Sequence, residues 1–142
     1  MGGPRIRWAL TAVAGLAAIV LATSVPAWAE EMSGPYMAQE AGDPPAMWIF
    51  TPCGKGCADV LFADGGTAQA TMDHGQWRLD DVGNSTAIKC TADGTQSPGS
   101  AHYSWDPITL AGQVWATDDS GACGALPGTD TTGVPFNLTR AG

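Results

Sequence analysis

The chain has 142 residues, 44% of them hydrophobic and only 14% charged, with a formal net charge of −8. That length is one domain, and the acid excess repels nucleic acid and anionic lipid, which all but excludes a nucleic-acid-binding role.

The first predicted element is a targeting segment. Arg5 and Arg7 form a basic head, Trp8 to Val25 is an apolar run broken only by small residues, and Pro26-Ala27-Trp28-Ala29 places small residues where a signal peptidase reads them. This is the build of a secretory signal peptide over residues 1–29, cleaved after Ala29, and not of a membrane anchor. No cysteine lies in or just after the run, so bacterial lipid attachment has no acceptor. Cleavage removes two arginines and leaves Lys55, Arg78, Lys89 and Arg140 against all 14 acidic residues, a more acidic, soluble, exported chain with no membrane span.

Residues 30–46 contain Gly34-Pro35, Gly42-Asp43 and Pro44-Pro45, with Tyr36 and Met37 as the only sizeable apolar pair. They read as a flexible or extended leader, and the folded domain is expected over 47–142. From Met47 the hydrophobic pattern has period two, with turn signals about every ten residues. Strands are expected at Met47–Thr51, Asp59–Ala63, Thr67–Met72 and Gln76–Asp80, with a turn at Asp73-His74-Gly75. After a polar loop at Gly83-Asn84-Ser85 come Thr86–Cys90, then a hairpin of Ala101–Trp105 and Leu110–Thr117 turned by Asp106-Pro107. An acidic, glycine-rich loop, Asp118–Gly133, precedes a last strand carrying Val134, Phe136 and Leu138. No helical periodicity survives outside the targeting segment. The expected fold class is all-β and antiparallel, a small sandwich or an up-and-down barrel.

All four cysteines fall after residue 29. An even count in an exported chain reads as two disulfides, with three connectivities open. Cys53–Cys57 with Cys90–Cys123 is favoured, because Gly54 and Gly56 let the Cys-Gly-Lys-Gly-Cys segment fold back at little steric cost. A four-cysteine zinc site ranks below this, since paired C-x-x-C knuckles are missing, and a redox role for the C-x-x-x-C spacing ranks below a structural clip.

Thr51-Pro52-Cys53-Gly54-Lys55-Gly56-Cys57-Ala58, Gly75-Gln76-Trp77-Arg78-Leu79 and Cys90 with Asp93-Gly94 form one half of a longer pattern. Tyr103-Ser104-Trp105-Asp106-Pro107-Ile108-Thr109-Leu110-Ala111-Gly112, Ala122-Cys123-Gly124 and Phe136-Asn137-Leu138-Thr139 form the other. The pattern, over roughly residues 47–140, resembles a group of small exported mycobacterial and actinobacterial proteins of unknown function. It is also similar to outer-face domains of some mycobacterial receptor-type kinases, although this chain has no kinase segment. The resemblance implies export to a cell envelope and carries no catalytic residue across.

Candidate sites are few. Trp48, Trp77, Trp105 and Trp115 could stack on a ligand, but large aromatics also supply the core of a small β domain. Trp77 with Leu79 and Tyr103 with Trp105 fit core packing, whereas Trp115 opposes Val114 and Ala116 and is the candidate for an exposed ring. Trp115, Tyr103, Asp118 and Asp119 are therefore the ligand-binding candidates. Asp118, Asp119 and Ser120 do not fit the EF-hand spacing and read as a solvated acidic loop. His74 reads as an exposed turn residue, and His102, alternating with Tyr103, faces water; no Gly-x-Ser-x-Gly elbow accompanies either. No catalytic residue, metal site or cofactor is expected. The leading expectation is an exported non-enzymatic binding or interaction module acting on an envelope component or a protein. The alternatives are a secreted hydrolase using aspartates from different strands, and a structural envelope protein without a ligand.

Overall fold

The computed structural model describes residues 26–142; the basic head and apolar run of the expected signal peptide lie outside the described residues. Nine strands follow a 3-10 turn at Ala27–Glu30. They are β1 (Gly34–Glu40), β2 (Ala46–Gly54), β3 (Cys57–Leu61), β4 (Thr67–Asp73), β5 (Gln76–Lys89), β6 (Gln96–Trp105), β7 (Ala111–Asp118), β8 (Thr129–Asp130) and β9 (Val134–Arg140). From β1 to β7 each strand pairs antiparallel with the next, and β9 pairs with both β7 and β1. The ladder therefore closes on itself as an eight-stranded up-and-down barrel, and the sandwich alternative falls away. Closure pairs both edges of each of the eight wall strands, and the short β8 keeps the one free edge among the described residues. β8 is the extra strand: β9 takes Ala111–Val114 of β7, and β8 takes Thr117 and Asp118 further along.

Alternation decides which side chains enter the barrel. In β6, Ala101, Tyr103 and Trp105 are buried while His102 and Ser104 between them are half-exposed. Seven aromatic side chains are the largest members of the buried interior. Trp48 sits at its centre with ring centroids 4.9 Å from Tyr103, 5.0 Å from Phe62 and 5.3 Å from Phe136. Trp77 and Trp105 fill the end formed by the β2–β3, β4–β5 and β6–β7 turns, their rings stacked at 6.3 Å. The Trp77 indole N–H donates to the Ala29 carbonyl at 3.1 Å, so the 3-10 turn closes this end of the barrel.

The structure corrects the leader expected at 30–46. Gly34–Glu40 is barrel wall, bonded to β2 on one side and β9 on the other, with Tyr36 and Ala38 buried. The alternation Tyr36, Ala38, Glu40 was present, but one inward position is a small alanine and another a carboxylate, so hydrophobicity alone did not mark a strand. A second difference lies in β5, where the two strands expected on either side of Gly83-Asn84-Ser85 are one 14-residue strand. Register shifts between Asp81 and Asn84 and between Asn84 and Ile88 absorb the polar residues as bulges. Gly83 takes φ 73°, and the Asn84 amide donates to Asp81 while its carbonyl accepts from the Thr86 N–H.

Both disulfides pair as favoured. Cys53–Cys57 clips the β2–β3 turn, and Cys90–Cys123 ties the end of β5 to the long β7–β8 connection. Among the described residues, no helix is long and apolar enough to cross a membrane. The β4–β5 turn is two residues, His74 (φ 51°) and Gly75 (φ 80°), the signature of a type I′ hairpin. Asparagine suits the first position of a type I′ turn better than histidine, so His74→Asn should stabilise the protein by up to about 1 kcal/mol in urea denaturation. A loss of stability would show that the exposed His74–Asp73 contact at 2.6 Å outweighs the better turn fit of asparagine.

Candidate functional site

At the end opposite Trp77 the aromatic filling stops. The β1–β2 and β5–β6 connections and the β7–β9 segment surround a cavity of about 570 Å3. Glu40, the last residue of β1, enters it beside Asp43 of the following turn. The bulged half of β5 contributes Asn84, Ala87 and Lys89, while Tyr103 and Val114 supply apolar wall from β6 and β7. Thr131 and Thr132, just after β8, form part of the rim. The bulges matter here because they bend β5 where a straight ladder would hold it against its neighbours.

The cavity is electrostatically asymmetric. Its acids are Glu40 and Asp43, both from the β1–β2 corner, and Lys89 is its lining cation. Burial pushes the Glu40 carboxyl above the usual carboxylate range, and nearby Asp43 adds to this, while a hydrogen bond from the Tyr103 hydroxyl (3.1 Å) partly opposes it. The Tyr103 hydroxyl is itself driven far above its ordinary value by burial and by the Glu40 charge, so it stays protonated and donates throughout the physiological range. The mouth is thus lined by two carboxyl-bearing residues, a phenol that stays a donor, an amide-bearing residue and a lysine beside apolar wall.

The expected ligand-binding residues separate. Tyr103 and Trp115 both line the cavity. Asp118 and Asp119 do not: Asp118 is buried and its carboxylate accepts from the Gly121 and Ala122 N–H groups, and Asp119 accepts from the Ser100 hydroxyl. Trp115 is only half-exposed, its ring 5.5 Å from that of His102, with the Arg78 guanidinium 5.9 Å from its centroid. His102 faces outward as expected but is engaged on both nitrogens, Nδ1 2.7 Å from Asp80 Oδ1 and Nε2 2.8 Å from Thr117 Oγ1. Thr117 Oγ1 in turn donates to Asp130 Oδ1 at 2.7 Å.

Glu40, Asp43, Asn84 and Lys89 were missed because two were assigned to a leader and two to a loop and its flank. Only the period-two run through Tyr36, Ala38 and Glu40 carried a signal for any of them. Among the described residues, no group of three or more histidine, cysteine, aspartate or glutamate side chains is placed to hold a metal ion. Comparison with protein-family models, curated proteins and solved structures finds no match.

Proposed function

We propose that this protein is an exported, non-enzymatic binding module that takes a small ligand in the mouth of its barrel. The observation that carries this reading is the contrast between the two ends, one packed with tryptophan and the other holding a cavity of about 570 Å3. That volume is in the range of small-molecule sites, which combine apolar wall with a few placed polar groups. An eight-stranded barrel can hold one such ligand. Two disulfides fit an oxidising, extracytoplasmic compartment, and the signal-peptide pattern and the resemblance to exported actinobacterial proteins support the same address.

The test is a screen of cell-wall disaccharides, short peptides and lipid headgroups, read by backbone amide shifts and repeated on Ala87→Trp, which fills the mouth. Compounds that move amides of β5, β6 and the Thr131–Thr132 rim, and lose that effect with Ala87→Trp, support the reading. If no compound perturbs those amides, or Ala87→Trp leaves the response intact, the mouth is not the site.

Glu40 gives an independent prediction. Its folded-state carboxyl is raised above the unfolded value, so its neutral form is favoured by folding and the benefit is lost as pH rises through the folded pKa. Glu40→Gln keeps an acceptor for the Tyr103 hydroxyl and removes the charge. The variant should melt higher than the native protein at pH 7, with the gap closing as pH falls below the carboxylate range. An unchanged gap at low pH would contradict this.

A further inference from the structure

Asp80, His102, Thr117 and Asp130 form a continuous hydrogen-bonded chain across the outer wall, from β5 through β6 and β7 to β8. We propose that this chain is a proton-operated clamp on the rim of the barrel mouth, holding β8 against β7 when His102 is protonated and loosening it when it is not. The inference rests on the mouth being the binding site, and assigns its regulation.

Three contacts need three donor hydrogens. Asp80 and Asp130, when ionised, only accept, and Thr117 owns one hydroxyl hydrogen, which goes to Asp130. The imidazolium supplies the other two, one N–H to Asp80 and one to Thr117 Oγ1, and every contact is satisfied. A neutral imidazole supplies one. Either Nε2 then faces a threonine lone pair, or the threonine hydrogen turns to Nε2 and leaves two oxygen lone pairs facing each other at Asp130. Deprotonation thus takes one donor hydrogen from the chain, and the clamp opens through the second arrangement, in which the threonine hydrogen leaves Asp130 and the link to β8 is the one lost. Histidine is the side chain that makes this change between about pH 5 and 8.

The charged groups that face the ring come from β5 and β8. From β5 they are Asp80 and, across the Trp115 ring, Arg78; from β8, Asp130 acts through Thr117; β7 presents the uncharged Trp115 and Thr117.

The location makes the clamp consequential. β8 has two residues, pairs only with β7, and is exposed along its length. Thr131 and Thr132 follow directly and form cavity wall. The Thr131 N–H donates to the Ala116 carbonyl at 2.7 Å, and the Gly128 N–H to the Asp118 carbonyl at 2.8 Å. These two amides report whether the rim is seated.

The experiment is amide hydrogen exchange on the ligand-free protein between pH 5.5 and 8, expressed as protection factors, alongside an NMR titration of the His102 ring. Protection of Thr131 and Gly128 should fall about tenfold, the worth of one hydrogen bond, with the midpoint of the ring titration. Thr117→Val cuts the chain between His102 and Asp130 and should give low protection that no longer varies with pH, while His102 still titrates. Asp130→Asn, at an exposed position, should flatten the profile in the same way. Protection that is independent of pH in the native protein, or still pH-dependent in both variants, overturns the clamp. Because no ligand is present, that failure leaves the binding reading standing; a mouth that takes no compound in the screen fails separately.

Discussion

Replacing Cys90 and Cys123 together by alanine should cost about 4 kcal/mol in urea denaturation, whereas Cys53→Ala with Cys57→Ala should cost about 2 kcal/mol. The difference follows from ring size, 33 residues of separation against 4, because the longer cross-link removes more freedom from the unfolded chain. The long bridge also has a local task. Residues 122–127 are all exposed and belong to no strand, so Cys90–Cys123 and the Asp118 carboxylate are what tie this segment to the barrel ahead of β8. Loss of the bridge should therefore broaden the amide signals of 119–133 before the barrel itself melts. If the two double variants lose equal stability, the entropy of ring closure does not set what each bridge contributes.

Trp48→Ala is the second large effect, at about 3–5 kcal/mol. Trp48 is 5% exposed and its ring meets five other aromatic rings from β2, the β3–β4 turn, β6 and β9. Truncation leaves a cavity that the closed wall cannot collapse to fill, because each neighbouring strand is hydrogen-bonded on both sides. Small domains have about 5–15 kcal/mol of total stability, so Trp48→Ala combined with loss of the long disulfide should leave the protein largely unfolded at 37 °C. Circular dichroism and urea titration of the three variants check this. A single-variant loss below about 1 kcal/mol would mean that the ring packs only loosely and that the aromatic cluster is not the main source of stability.

These two effects arise in different parts of the chain, and each had a local sign in the sequence. Strand positions from Met47 onward were legible because a residue's side of the wall depends only on its parity within a run. Tyr103 and Trp105 pointing inward, with His102 between them pointing out, follows from that rule alone. The same rule placed Trp115 opposite Val114 and Ala116. The disulfide pairing was legible for a different local reason, the two glycines between Cys53 and Cys57. The leader was misread because hydrophobicity and alternation disagreed: Glu40 occupies an inward position at the barrel mouth, where a carboxylate is tolerated by the Tyr103 hydroxyl 63 residues away.

By itself the sequence determined an acidic, cross-linked, antiparallel β domain and the sides on which its aromatics lie. The tertiary structure decided that the sheet closes, that β1 meets β9, that one end is packed and the other open, and that Asp80, His102, Thr117 and Asp130 fall in one line. The division has a physical cause. Alternation is a property of each strand's own backbone, whereas closure and register come from pairings between strands as far apart in the chain as β1 and β9, whose partners no local pattern names.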